Sequence, residues 1–263
     1  MNQTQLHINK AVIYFKRVIS TMSRPLLVAF DFDHTIVNDN TDIVVRKLLP
    51  EQKLPESVRG MYRSDGWTAY MQRIFELLHA NCINQTQINA AIDNIPAVNG
   101  MEDLLERLHK SNCDIIIISD SNSIFIERWL KNKKLSHTIS RVFTNPAKYD
   151  DNGLLKIEMY HLQDWCELST KNLCKGHILE NYIKESLENG TSFERVAYVG
   201  DGRNDFCPIL RLSQKDFAFP RSNYPLIKIL NEAKTNGTHQ VTAHICPWND
   251  GTHILEKLLV SLE

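Results

Sequence analysis

Three short apolar runs in this chain each end on a carboxylate. Pro25–Phe30 (PLLVAF) runs into Asp31, Ile115–Ile118 into Ser119 and Asp120, and Val196–Val199 into Gly200-Asp201-Gly202. A continuous apolar run without polar alternation reads as a strand buried on both faces. A shorter run, Phe217–Phe219, ends at Pro220. Helical patterns at Met101–Lys110, Ile124–Lys133, His177–Leu187 and Leu226–Lys234 separate these runs. Strands alternating with helices predict an α/β fold with a doubly wound, mainly parallel sheet. In such sheets ligands bind outside the carboxyl ends of the strands, which is where three of these strands carry acids.

Residues 43–97 interrupt the alternation. Val44–Leu49, Trp67–Ala80 and Gln85–Ala91 read as helices, with no apolar strand run among them. A helical cap inserted after the first strand would lie over the strand ends as a lid. The predicted division is a leader over 1–24, a catalytic core over 25–42 and 98–263, and a cap over 43–97. The last dozen residues read as a closing helix with Thr252 as its N-cap. A chain of 263 residues can bury enough surface to fold without disulfides or metals.

Composition narrows the function. Lys plus Arg is 30 and Asp plus Glu is 31, a net charge of -1, so the chain is a poor candidate for nucleic-acid or anionic-membrane binding. No apolar run reaches the roughly 20 residues of a membrane helix. The six cysteines are irregularly spaced and contain no CxxC, which favours free thiols in a reducing compartment such as the cytoplasm. Residues 1–30 contain no acid but contain Lys10, Lys16, Arg17 and Arg24. That is the pattern of a mitochondrial presequence, or else of a short extra helix or a leader ahead of a start at Met22.

The chemistry concentrates at the strand ends. Asp31-Phe32-Asp33-His34-Thr35 places two carboxylates, two residues apart, after PLLVAF. Gly200-Asp201-Gly202-Arg203-Asn204-Asp205 follows a later strand, its glycines allowing a tight turn and Asp201 and Asp205 offering hard oxygen ligands. Ser119 follows the second strand, where its hydroxyl could donate to a phosphate oxygen. Lys175 opens a helix and either neutralises another phosphate oxygen or is an exposed helix-start lysine.

In this order and context these pieces resemble the haloacid dehalogenase-like phosphotransferase superfamily. The closer resemblance is to the phosphoethanolamine/phosphocholine phosphatase family, which includes pyridoxal phosphate phosphatases. It is carried by FDFDHTIVNDNTD (Phe30–Asp42), YMQRIF (Tyr70–Phe75), ISDSNSIFIE (Ile118–Glu127), NLCK (Asn172–Lys175), YVGDGRNDFCP (Tyr198–Pro208) and FPRSNYP (Phe219–Pro225). The resemblance implies that Asp31 attacks phosphorus to form an aspartyl-phosphate and that Asp33 serves as general acid and base. It implies one Mg2+ held by Asp31, Asp201 and the backbone carbonyl of Asp33, with Ser119 and Lys175 on the equatorial phosphate oxygens. Asp205 would orient Lys175 or a water on the metal.

Asp42 and Asp120 match positions at which the family binds the substrate's cationic head. Their plainer reading is a solvated turn and a helix-opening charge. Tyr62, Trp67 and Tyr70 either face the site or form the core of the cap. The resemblance implies several His and Cys before NLCK, but here only His161, Cys166 and Cys174 remain, with Gln163 and Ser169 where further ligands would stand. Three ligands hold zinc only with a fourth from elsewhere, so packed free thiols are expected.

The expected activity is Mg2+-dependent hydrolysis of a small phosphomonoester, foremost phosphoethanolamine or phosphocholine. Pyridoxal 5′-phosphate is the alternative substrate, and a phosphoprotein phosphatase or phosphomutase the alternative enzyme. The rival from another class is a catalytically silent, metal-binding interaction protein on the same fold.

Overall fold

The computed structural model of the chain describes residues 22–61 and 66–259. The readings made for residues 1–21 and for Tyr62 lie outside the described residues. Six strands form one parallel sheet: β1 (Met22–Phe30), β2 (Asp114–Asn122), β3 (Arg141–Asn145), then β6 (Thr191–Gly200), β7 (Phe217–Pro220) and β8 (His244–Ile245). Their spatial order is β3-β2-β1-β6-β7-β8. Between β3 and β6, β4 (Ala147–Tyr149) and β5 (Leu155–Ile157) pair as an antiparallel hairpin.

The central runs are apolar throughout because the sheet is covered on both faces. Leu26, Val28 and Phe30 of β1 join Ile115 and Ile117 of β2 and Ala197 and Val199 of β6 in one core. The alternate residues Leu27, Ala29, Ile116, Ile118, Val196 and Tyr198 form the opposite core. The first core is closed by α4 (Gln85–Asp93), α5 (Met101–Lys110), α6 (Ser123–Asn132) and α10 (Gly251–Leu259), through residues such as Ile88, Leu104, Trp129 and Ile254. The second is closed by α7 (Lys175–Glu188), α8 (Phe206–Ile209) and α9 (Pro225–Asn236), through Ile178, Ile209 and Leu226.

Between β1 and α4 lie α1 (Thr41–Arg46), α2 (Glu56–Arg59) and α3 (Trp67–Ala80). The chain leaves and re-enters the core through a short antiparallel stem. There Asn38 donates its N–H to Pro96 at 2.8 Å, and Val98 donates to Ile36 at 3.0 Å. Tyr70 is buried, Trp67 only partly so. The β4–β5 hairpin packs against α3, where Gln72 Oε1 accepts from the Ile157 N–H at 3.0 Å. No helix among the described residues is long and apolar enough to cross a membrane.

Several boundaries differ from the sequence expectation. The first insertion helix starts at Thr41 rather than Val44, because Asn40 caps it by accepting from the Ile43 N–H at 2.9 Å. Thr252 lies inside α10; Asp250 instead accepts from the His253 N–H at 3.1 Å. β2 continues to Asn122, so Ser119 and Asp120 sit within the strand rather than after it, beside a register shift against β3.

Candidate active site

The strand order reverses between β1 and β6: from β1 the chain builds outward to β2 and β3, then crosses to β6, β7 and β8. A crevice opens at such a switch point, and Asp31 and Asp201 stand on its two sides. The Asp31 N–H donates to Val199 O at 2.9 Å, which fixes the end of β1 against β6. Asp31 Oδ1 accepts from the Phe32 N–H at 2.7 Å, and Oδ2 lies 2.9 Å from Lys175 Nζ. Lys175 is 1% exposed and spans to Asp205 Oδ1 at 2.8 Å, so it is a buried site residue and not a surface lysine.

Asp205 is fully engaged. Its Oδ1 also accepts from the Tyr198 hydroxyl at 2.7 Å, and its Oδ2 from the N–H groups of Asp201 at 3.0 Å and Gly202 at 2.9 Å. Gly200 permits this, since a Cβ there would fall 2.5 Å from the Asp205 carboxyl carbon. Carboxylate oxygens of Asp31, Asp201 and Asp205 lie within 4.8 Å of one another. With Asp205 saturated, Asp31 and Asp201 are the acids that can offer oxygen to a cation.

Burial dominates the electrostatics. It pushes Asp201 up to about 9, with repulsion from Asp31 and Asp205 adding to it. It pushes Asp31 up to about 7, against the pull of Lys175. Asp33 rises well above the usual carboxylate range, through burial and then the proximity of Asp42. Burial lowers Lys175, but Asp205, Asp31 and Asp120 more than offset that and hold it protonated. Lys175 is the one buried ammonium among the described residues, facing several buried acids. Such an excess of negative charge is relieved by a hard cation on oxygen donors.

Asp33, Asp42, Trp67, Asp120, Asn172 and Asn204 line a cavity of about 610 Å³ beside these acids. Thr41 holds Asp33 twice, donating its N–H to Oδ1 at 3.0 Å and its hydroxyl to Oδ2 at 3.2 Å. Asp42 Oδ2 accepts from the Trp67 indole N–H at 2.6 Å, while its Oδ1 is buried without a hydrogen-bond partner. Burial raises Asp42 to about 7 despite the Trp67 bond, and Asp120 adds repulsion. Asp120 accepts from Asn172 Nδ2 at 3.3 Å and Asn204 Nδ2 at 2.6 Å. Ser119 is buried, its Oγ accepting from the Ser121 N–H at 3.2 Å.

Residues 26–262 match the family described as "Putative Phosphatase". The pyridoxal phosphate phosphatase PHOSPHO2 of Bos taurus is 37% identical over 235 residues, covering 89% of this chain and 97% of that protein. The phosphoethanolamine/phosphocholine phosphatase of Homo sapiens is 36% identical over 240 residues, covering 89% and 90%. The chain belongs to this phosphatase family. Its fold is that of the haloacid dehalogenase-like enzymes: a phosphoserine phosphatase in apo form superimposes with a TM-score of 0.57 at 20% identity, covering 89% of this chain and 98% of that one.

This phosphatase thus gathers Asp31, Asp33, Asp42, Ser119, Asp120, Lys175, Asp201 and Asp205 at one end of its sheet. Sequence reasoning missed the residues that hold them. Thr41, whose hydroxyl is 2.7 Å from that of Ser121, fixes Asp33, and Asn172 and Asn204 fix Asp120. Arg221 donates to His34 O at 2.5 Å and to Asn38 Oδ1 at 2.7 Å, pinning the loop after β1. Near NLCK, Cys207 joins Cys166 and Cys174, whereas His161 is occupied, its Nε2 accepting the Cys174 N–H at 2.9 Å.

Proposed function

We propose that this phosphatase hydrolyses a small, cation-bearing phosphomonoester through an aspartyl-phosphate on Asp31. The observation that carries the reading is the bracket of Asp31, Lys175 and Asp205 at the sheet's switch point. The Asp31 carboxylate attacks phosphorus as the ester oxygen leaves. Asp33, whose pKa is raised by burial and then by the proximity of Asp42, gives its proton to that oxygen and then takes one from the water that cleaves the acyl phosphate. Lys175 and Ser119 hold the phosphate oxygens, with Asp205 positioning Lys175. Asp31, Asp201 and the Asp33 carbonyl would hold Mg2+, which offsets repulsion between the nucleophile and the phosphate. The hard oxygen donors and the excess of buried acid fit that ion.

The cap helices α1 and α3 contribute Asp42 and Trp67 to the cavity, which favours a small substrate over a protein chain. The partnerless Oδ1 of Asp42, in a cavity that Asp120 also lines, suits a substrate cation placed between two acids that otherwise repel. Phosphoethanolamine and phosphocholine have this form. The second reading is pyridoxal 5′-phosphate, favoured by a cavity of about 610 Å³, roomy for an ethanolamine head, and by the activity in a relative's name. A panel of these esters against an uncharged phosphomonoester, scored by kcat/KM, tests both. Asp120→Ala should lower kcat/KM for the cationic substrate by about 10- to 100-fold, as expected for hydrogen bonds to charged groups, and spare the neutral one. Equal loss on both would place Asp120 in the phosphate scaffold.

A further inference from the structure

Among the described residues, the group of metal-binding atoms outside the phosphate site is sulfur. Cys166, in the long segment between β5 and α7, lies with its Sγ 3.5 Å from that of Cys207 at the start of α8. Cys174, which precedes α7, lies 3.8 Å from Cys207. All three sulfurs fall within 4.8 Å of one another, Cys174 and Cys207 buried and Cys166 half-buried. A tetrahedral ion with metal–sulfur bonds of about 2.3 Å sets its sulfurs about 3.8 Å apart along each edge. The two separations from Cys207, 3.5 and 3.8 Å, are close to those of a ligated face, and the third sulfur pair lies within 4.8 Å.

The surroundings hold the sulfurs there. A Cβ at Gly176 would fall 2.6 Å from Cys207 Sγ, so only glycine lets α7 approach α8 this closely. Gln163 Oε1 accepts the Cys166 N–H at 2.9 Å, and Gln163 Nε2 donates to the carbonyls of Cys166, Ser169 and Thr170, closing the loop around Cys166. Arg211, paired with Glu180 at 3.5 Å, stands within electrostatic reach of Cys207 and Cys166, where a cation offsets an anionic thiolate cluster.

We propose that Cys166, Cys174 and Cys207 form a second, soft-metal site that binds Zn2+ through three thiolates, with solvent completing the tetrahedron on the half-exposed Cys166 side. Three thiol protons leave as three sulfur–zinc bonds form, and no redox change occurs. Sulfur selects zinc over Mg2+, so the two sites load independently. Gln163, Asp164 and residues 166–172 also wall the substrate cavity. A zinc ion there would tie that wall to the helices carrying Lys175 and following Asp205.

The test is a Co2+ titration of the full, reduced chain saturated with Mg2+. One equivalent should produce a thiolate-to-cobalt charge-transfer band with tetrahedral visible bands, and Zn2+ should abolish both. The oxygen ligands of the phosphate site cannot give that charge-transfer band. Cys207→Ser should lose it. Because Cys207 is buried, Cys166→Ser, at the half-exposed position, is the companion variant and should at least halve the band while keeping the wild-type circular dichroism. Zinc content of the purified chain, by a colorimetric indicator, should fall from about one equivalent to near none in either variant. Absence of the band in the wild type, or its survival in a Cys166→Ser/Cys207→Ser double variant, overturns the proposal.

Discussion

Replacing Asp201 by Asn tests the electrostatics of the site without touching Asp31, the proposed nucleophile. Burial, then Asp31 and Asp205, push the Asp201 carboxyl up to about 9 from the ordinary 3.8. Between those values the metal-free native chain keeps a proton that the unfolded chain has released. Stability therefore falls as pH rises through that window, opposite to the behaviour of an aspartate whose pKa is depressed by an ion pair. One proton is worth about 1.4 kcal/mol per pH unit, so the loss from pH 5 to pH 8 amounts to about 4 kcal/mol. Asp201→Asn carries no such proton in either state. In EDTA its advantage over wild type should widen by that amount across the interval, roughly 8–16 °C in Tm for a chain of this size. Asp31 and Asp42, both raised to about 7, act in the same direction as Asp201, while burial lowers His34 and His161, which act oppositely near 6.5. Asp42, His34 and His161 are common to both proteins and cancel in the difference, whereas the Asp31–Asp201 repulsion is removed with the Asp201 carboxylate and acts in the same direction as the main effect. Scanning fluorimetry at pH 5, 6, 7 and 8 reads the gap directly. Adding Mg2+ should stabilise the wild type more at pH 8 than at pH 5, because the ion replaces the protons. A gap that stays flat or narrows with pH refutes the argument.

Asp31→Asn should reduce kcat by at least the roughly 10²–10⁴-fold of a single catalytic group without lowering Tm, and retention of a hundredth of the rate would remove Asp31 as nucleophile. Asp33→Asn should harm alkyl phosphates far more than an activated aryl phosphate, whose leaving group needs little protonation; equal losses in kcat would dismiss the acid role. Arg221→Ala deletes the donors to His34 O and Asn38 Oδ1 and the stacking on Tyr224 at 4.4 Å. It should cost about 3 kcal/mol, or roughly 6–12 °C in Tm, and an unchanged melting curve would show that the loop holds itself.

The sheet's centre was legible because burial on both faces leaves an unbroken apolar run, and a carboxylate at the end of such a run has few structural reasons to be there. The edges were not. β3 reads RVFTN, with Arg141 exposed and only Phe143, Thr144 and Asn145 buried, so neither a continuous run nor a clean alternation appears. β8 is two exposed residues paired to β7. Cys207 could not be joined to Cys166 and Cys174 from spacing, because their contact is made by two helix starts meeting across Gly176.

The acids themselves show where sequence stops and structure begins. As residue types in a list, Asp42, Asp120, Asp201 and Asp205 are interchangeable, and each has a plain reading as a turn or helix-start charge. What separates them is the number of partners each oxygen already has. Asp205 has two donors on each oxygen, which leaves nothing to offer a cation, so its contribution is to hold Lys175. Asp120 is held by two amides, which aim it without neutralising it. Asp42 has one oxygen on Trp67 and the other buried without a partner. A buried carboxylate left half satisfied costs stability, since an unpaired charged acceptor pays its full desolvation penalty. That cost is offset when a cation or a donor reaches the free oxygen, and under the proposed function that partner is the positive end of the substrate. A native stability that rises on Asp42→Asn while the preference for cationic esters falls would display both halves of that exchange in one variant.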